Sequence, residues 1–270
     1  MSDQRGWPVP VSARFDGPAG APVLVLGNSI GTSSAVWDRQ VPELSRRFRL
    51  LRFELPGHGG APAWPGPYTI AELGGGVLAL LDAHGIERAA FAGTSMGGMI
   101  GMWLAAAAPE RITALGLVCT SAYLPPAAAY RDRAQLVRAE GMGPVARPAV
   151  GRWFTADFAA REPAVVDAAR AGFEQTDPEG YAGCCEAIAA MDLRGDLKAI
   201  RAPTLVVAGQ DDPATPPAHS AVIADGIPAA RLLVLRHAAH LAVISSAAEV
   251  ASALVAHFGR AAAADESWAR

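Results

Sequence analysis

The sequence predicts an α/β protein: a mostly parallel, twisted sheet with helices on both faces and a helical insertion over one end. Three observations carry this. Short apolar runs bounded by Gly and Pro alternate with segments of helical period. One long stretch, from about Ala122 to Ile200, stops alternating and holds only apolar-periodic segments with charges. Finally, Gly93-Thr94-Ser95-Met96-Gly97 lies between an apolar run and a helix, the strand–turn–helix setting that a G-x-S-x-G segment requires.

The elements follow in order. Val9 to Phe15 and Pro22 to Leu26 read as strands separated by Asp16-Gly17-Pro18-Ala19-Gly20, for which a hairpin is the natural connection. Phe48 to Leu55 is the next strand and ends in Pro56-Gly57-His58-Gly59-Gly60. Tyr68 to His84 is helical by period, with Gly74-Gly75-Gly76 as a weak spot and Gly85 as its stop. Ala89 to Ala92 is a short buried strand. The helix after Gly97 ends near Pro109, and Ala114 to Cys119 is a strand. Within the insertion, Ala127 to Glu140, Val145 to Phe154 and Glu162 to Phe173 read as helices. Pro203 to Ala208 and Arg231 to Arg236 return to the sheet, with helices at Pro216 to Asp225 and Ser246 to Phe258. The expected division is a core of residues 1–121 and 201–260, a helical cap of 122–200 and a loose tail of 261–270.

Composition narrows the function. The chain has 270 residues, 51% of them hydrophobic, which suits one large domain with an insertion. Its net charge of -3 and lack of a basic stripe argue against nucleic acid and against a membrane surface as partners. No apolar run reaches the length of a membrane span. The opening MSDQRGWPVPVSARFDG lacks the apolar centre of a secretory leader. Cys119, Cys184 and Cys185 are odd in number and two are adjacent, so a reducing compartment is expected rather than a disulfide framework. No Cys/His grouping has zinc-like spacing, and no metal is expected.

Ser95 needs partners. A serine hydroxyl becomes a nucleophile when a base takes its proton and an acid orients the base. In the strand–turn–helix arrangement the chain order is serine, acid, histidine, each at the carboxyl end of a strand. Gly209-Gln210-Asp211-Asp212-Pro213 and His237-Ala238-Ala239-His240-Leu241 follow the two late strands, where that order requires them. Asp212 is favoured over Asp211 because Pro213 biases it toward an extended backbone. His240 is favoured over His237 because it lies further into its loop and can reach back over Ser95. An oxyanion needs two donors. The Met96 N–H, directly after the serine, is one. The loop Gly27-Asn28-Ser29-Ile30-Gly31-Thr32 supplies the other, for which Ile30 N–H is chosen, with Asn28 or Ser29 orienting it. His58 is read as a packing and hydrogen-bonding residue of its turn. His84 falls near a helix end, and His219 and His257 read as surface residues.

These residues also carry a resemblance. The chain resembles the α/β-hydrolase superfamily throughout, and within it the 3-oxoadipate enol-lactonases. The similar stretches are GNSIGTSSAVWD, GTSMGGMIGMWLAAAAPERI, RWFTADFAAREPAVV, EGYAGCCEAIAAMDLR, IRAPTLVVAGQDDPATPP and AAHL. The elbow is shared by many hydrolases; the insertion segments and DPATPP are narrower signals. The resemblance implies a cytoplasmic enzyme of aromatic-compound degradation that opens an enol-lactone to 3-oxoadipate without a cofactor. By motif, Ser95 is the nucleophile, Asp212 the acid, His240 the base, and Ile30 and Met96 the oxyanion donors. The implied substrate bears a carboxylate, for which Arg131, Arg133, Arg152 and Arg194 of the insertion are candidates. Arg133 is the choice, with Trp153 as a pocket wall. Two departures touch the rim of the site. Glu54-Leu55-Pro56-Gly57-His58-Gly59 stands where the family reads Asp-Thr-Arg-Gly-His-Gly, so an arginine is missing. Ala242 to Ser246 replaces a more polar stretch. Alternatives on the same fold are a carboxylesterase, a carbon–carbon bond hydrolase, and a receptor that binds a small molecule without turnover.

Overall fold

The computed structural model describes residues 13–264. Seven strands form one sheet: β1 (Ala13–Asp16), β2 (Val23–Gly27), β3 (Arg49–Phe53), β4 (Ala89–Thr94), β5 (Ile112–Val118), β6 (Thr204–Gly209) and β7 (Arg231–Leu235). Their order is β1-β3-β2-β4-β5-β6-β7, and every pair is parallel except β1 with β3. Strands β4 and β6 are buried along their whole length. This is why they read as continuous apolar runs instead of alternating.

The hairpin expected between the first two strands does not form. β1 pairs antiparallel with β3, and β2 lies on the far side of β3. The turn after Asp16 carries the chain past the place that β3 fills, rather than back alongside β1. Residues 9–12 of the expected first strand lie outside the described residues, as do the opening segment and the end of the tail.

Eleven α-helices connect the strands among the described residues: α1 (Val41–Leu44), α2 (Ile70–Ala83), α3 (Met96–Ala107), α4 (Ala127–Glu140), α5 (Gly143–Val150), α6 (Ala156–Arg161), α7 (Pro163–Glu174), α8 (Pro178–Ala190), α9 (Pro217–Gly226), α10 (Ala242–Ser245) and α11 (Ala247–Ala264). A capping box starts α2: Glu72 N–H donates to Thr69 Oγ1 at 3.1 Å, and Thr69 N–H donates to Glu72 Oε2 at 2.8 Å. The glycine triplet inside α2 has a packing reason. A Cβ on Gly74 would lie 2.1 Å from the Trp103 ring of α3, so its absence lets the two helices approach. The final helix runs on to Ala264, past Phe258, and Ala261 is buried; the expected loose tail is helical at its start.

Five helices, α4 to α8, stand between β5 and β6 and form the inserted helical region. Two capping interactions and one ion cluster organise it. Thr155 caps α6 and Asp177 caps α8 through their side-chain oxygens. Arg138 on α4 bridges Glu179 and Glu186 on α8, at 2.7 and 2.5 Å. The pair α4 and α8 forms the largest helix–helix contact. The insertion is also fastened to the core. Asp177 N–H donates to Gly57 O at 2.8 Å, and Gly180 lies so near the Pro56 carbonyl that a Cβ would approach it to 2.4 Å.

No helix among the described residues is long and apolar enough to cross a membrane. All three cysteines are buried and free. His257 is buried rather than superficial. Its Nε2 lies 3.1 Å from Leu115 O and 3.2 Å from Pro203 O, so the ring spans mid-β5 and the residue before β6. The helical period placed it correctly, but α11 packs on the sheet with that face inward.

Candidate active site

Ser95 sits between β4 and α3 with φ 53° and ψ -116°, a backbone conformation that non-glycine residues rarely adopt. Close packing on every side holds it there. A Cβ on Gly93 would lie 2.2 Å from Gly97, and one on Gly97 would lie 2.3 Å from Gly27 O. Only glycine at both flanks lets the turn close. Ser95 N–H donates to Val118 O at 2.9 Å, and the Thr120 hydroxyl donates to Ser95 O at 2.6 Å. The side chain is thereby raised over the carboxyl edge of the sheet, at the N-terminus of α3.

His240 Nε2 is 2.9 Å from Ser95 Oγ, and His240 Nδ1 is 2.8 Å from Asp212 Oδ2. All three residues are buried. Burial pushes the Asp212 carboxyl up, but His240 and the hydrogen bonds from His240 and Thr215 outweigh it and hold it below its ordinary value. An ionised carboxylate only accepts, so Nδ1 carries the proton and Nε2 is free to accept from the serine hydroxyl. The competing residues lie elsewhere: Asp211 and His237 are both exposed.

Asp212 is held by a set of donors that the sequence reading did not single out. Ala214 N–H and Thr215 N–H donate to Oδ1 at 2.8 and 3.0 Å, and the Thr215 hydroxyl donates to Oδ2 at 2.7 Å. The signal was present as an acid followed three residues later by threonine, a spacing that closes side-chain-to-backbone turns.

The loop after β2 faces the serine. Asn28 O accepts from Gly97 N–H at 3.0 Å, which ties the loop to the start of α3. Asn28 Nδ2 donates to Thr32 O at 2.6 Å and closes the loop on itself. Gly31 N–H donates to His58 Nε2 at 2.9 Å, and His58 Nδ1 donates to Pro56 O at 2.7 Å. Burial lowers the His58 pKa to about 4, which keeps the ring neutral and Nε2 an acceptor. Among the described residues, the main-chain N–H groups of Ile30 and Met96 have no acceptor. Both belong to segments that border Ser95.

A small enclosed cavity of about 30 Å³ lies over the serine, with Ser95, His240 and Ile30 on its floor and Tyr130, Arg133, Arg152 and Trp153 of the insertion above. Arg133 is stacked 5.1 Å from the Tyr130 ring centroid. Neither Arg133 nor Arg152 forms an ion pair among the described residues. The other two candidate arginines are elsewhere: Arg131 is exposed, and Arg194 pairs with Asp192 at 2.6 Å. Among the described residues no cluster of His, Cys, Asp or Glu could hold a metal ion.

A strained serine at a strand-to-helix elbow, a histidine and carboxylate in line, and a helical lid define a class, and comparison with known proteins agrees. Residues 22–247 match the model of the alpha/beta hydrolase fold, and the chain belongs to that family. Among curated proteins it is 40% identical to 3-oxoadipate enol-lactonase 2 of Acinetobacter baylyi over 225 residues, covering 83% of this chain and 84% of that one. Among solved structures it is similar to the enol-lactonase from Burkholderia xenovorans (42% identity, TM-score 0.90, 92% and 96% of the two chains). It is also similar to a hydrolase from Pseudomonas aeruginosa (44% identity, TM-score 0.88, 92% and 93%).

Proposed function

We propose that this hydrolase opens a small anionic enol-lactone, 3-oxoadipate enol-lactone in the first instance, through an acyl-enzyme on Ser95. One observation carries the reading: the Ser95–His240–Asp212 hydrogen-bonded chain shares its cavity with two guanidiniums, Arg133 and Arg152, that have no carboxylate partner among the described residues. Unpaired cations over a buried nucleophile favour an anionic substrate. The enol-lactonase relatives support the same choice.

The chemistry follows from the parts. Ser95 Oγ attacks the lactone carbonyl as His240 Nε2 takes its proton. Asp212 keeps the imidazole in the required tautomer and stabilises the imidazolium. The Ile30 and Met96 amides receive the oxyanion. Collapse breaks the acyl–oxygen bond. The enol oxygen leaves, takes the proton from His240, and the enol ketonises. Water, deprotonated by His240, then attacks the acyl-enzyme, and His240 returns that proton to Ser95 Oγ as the acid leaves. No step requires a cofactor. Residues 122–200 act as the cap that selects the substrate, with Arg133 at the substrate carboxylate and Trp153 as a wall.

The test is the loss of ultraviolet absorbance of 3-oxoadipate enol-lactone with purified protein, beside Ser95→Ala. Loss that vanishes in the variant is the expected result. Intact lactone alongside cleaved neutral phenyl esters would replace this substrate with a simple ester.

A further inference from the structure

Behind the site lies a second, larger chamber of about 470 Å³ between α7, α10 and the loop after β2. The two spaces are divided by a layer one residue thick. Ile30, Phe173 and His240 face the serine cavity, while their chain neighbours Gly31, Gly172 and Leu241 line the outer chamber. Among the described residues, Trp153 alone lines both.

The partition is built from aromatic rings. Trp153 meets Phe173 edge-on at 5.6 Å, and Phe173 meets Tyr181 at 5.2 Å. Trp153 is fixed at its backbone too, where its carbonyl accepts from Leu241 N–H at 2.9 Å, one residue beyond His240. The walls are mixed: Val165, Ala168, Ala169, Leu241 and Ile244 make an apolar side, while Asp38 and Arg39 bring charge to the side of the loop after β2.

We propose that Trp153 sets the upper size limit of the substrate by closing the serine cavity off from this chamber, and that the chamber is shaped to take a linear acyl or alkyl chain once the indole is removed. The inference rests on Ser95 marking the reacting end of the substrate. With the ring in place, the space over the serine is only about 30 Å³, which favours a compact ester over an extended one. A chain extending from the reacting carbonyl meets the indole face. With the ring truncated, the same chain has an apolar path directly from the serine into the chamber, and each newly buried methylene is worth about fourfold in affinity.

The test measures binding, so it does not depend on turnover. In Ser95→Ala protein, calorimetry compares butyrate and octanoate with Trp153 intact and with Trp153→Leu and Trp153→Ala. Octanoate is expected to tighten about tenfold or more in Trp153→Ala and less in Trp153→Leu, while butyrate changes by less than about threefold. Adding Ala169→Phe, which fills the outer chamber away from the serine, should erase the octanoate gain. Unchanged octanoate affinity in both Trp153 variants overturns the proposal, as does a gain that survives Ala169→Phe. Failure of the enol-lactone assay with a positive octanoate result would instead change the substrate and leave the partition standing.

Discussion

The Gly31 amide donates to a neutral His58 ring at 2.9 Å, so an imidazole on the turn after β3 fixes the loop whose preceding residue, Ile30, faces Ser95. The geometry makes His58 a positioning residue for the loop that carries the proposed oxyanion donor, Ile30. It also couples the loop to pH. The folded ring holds no proton above about pH 4, whereas an unfolded histidine binds one below its ordinary 6.5. Between these values only the unfolded chain takes up the proton, so stability falls as pH drops through that window, by roughly 3 kcal/mol in all from this group. Urea melts at pH 7, 6 and 5 should show the loss, and His58→Gln should flatten that part of the profile.

The acid is expected to be Asp212 alone. Asp212→Asn should lower kcat by about 10⁴ through the wrong imidazole tautomer, while Asp211→Asn should stay within about threefold. Steady-state rates on a phenyl ester would check both. The reverse outcome would move the acid to the exposed neighbour.

Thr215 donates to Asp212 through both its hydroxyl and its N–H, and the backbone half survives substitution. Thr215→Val should therefore lower kcat about tenfold and leave KM nearly unaltered, with Thr215→Ser restoring the rate. A change in KM alone would contradict a role that acts through Asp212.

Arg133→Ala should raise KM for an anionic lactone by about 10- to 100-fold and leave neutral esters unaffected, the loss expected for one charge-assisted hydrogen bond. Equal KM for wild type and variant on the anionic lactone would remove Arg133 from the substrate site.

Two glycines should respond oppositely to alanine. At Gly97 the new methyl would meet Gly27 O at 2.3 Å, a backbone atom that cannot turn away, so Gly97→Ala should unfold the elbow or the protein. At Gly75 nothing lies within 4 Å, and Gly75→Ala should stabilise α2 by about 0.5–1 kcal/mol. Thermal melts distinguish the two directly.

The sequence made the sheet and the serine's partners legible because they depend on local signals. Ser95 and Asp212 each follow a buried strand and His240 follows the apolar edge strand β7, and chain order does the rest. What escaped depended on pairing across the chain. The turn at Asp16 to Gly20 has hairpin chemistry, yet β1 finds β3 as its partner, a choice made by a strand that comes later. His257 has the spacing of a surface position on an alanine-rich helix, and only the packing of α11 turns it inward. His58 was read as a residue of its own turn, and its longer reach to Gly31 spans 27 positions. For the cap, four arginines are candidates in sequence, with Arg133 the choice; folding takes Arg131 to the surface and Arg194 to Asp192, and leaves Arg133 and Arg152 at the serine cavity.

The fastening of α8 to the Pro56–Gly57 turn bears on how hydrolases of this kind diversify. Asp177 N–H holds Gly57 O, and Gly180 leaves no room for a side chain against Pro56. The next residue, His58, grips the loop beside the nucleophile. A graft that transplanted only residues 122–200 from a relative would set a foreign helix on this turn and disturb, at one remove, the loop of the proposed oxyanion donor. The unit of exchange is the insertion together with residues 54–60. Lineages that trade lids to gain new substrates are thereby bound to change both segments in step, which is where paired substitutions among homologues should be sought.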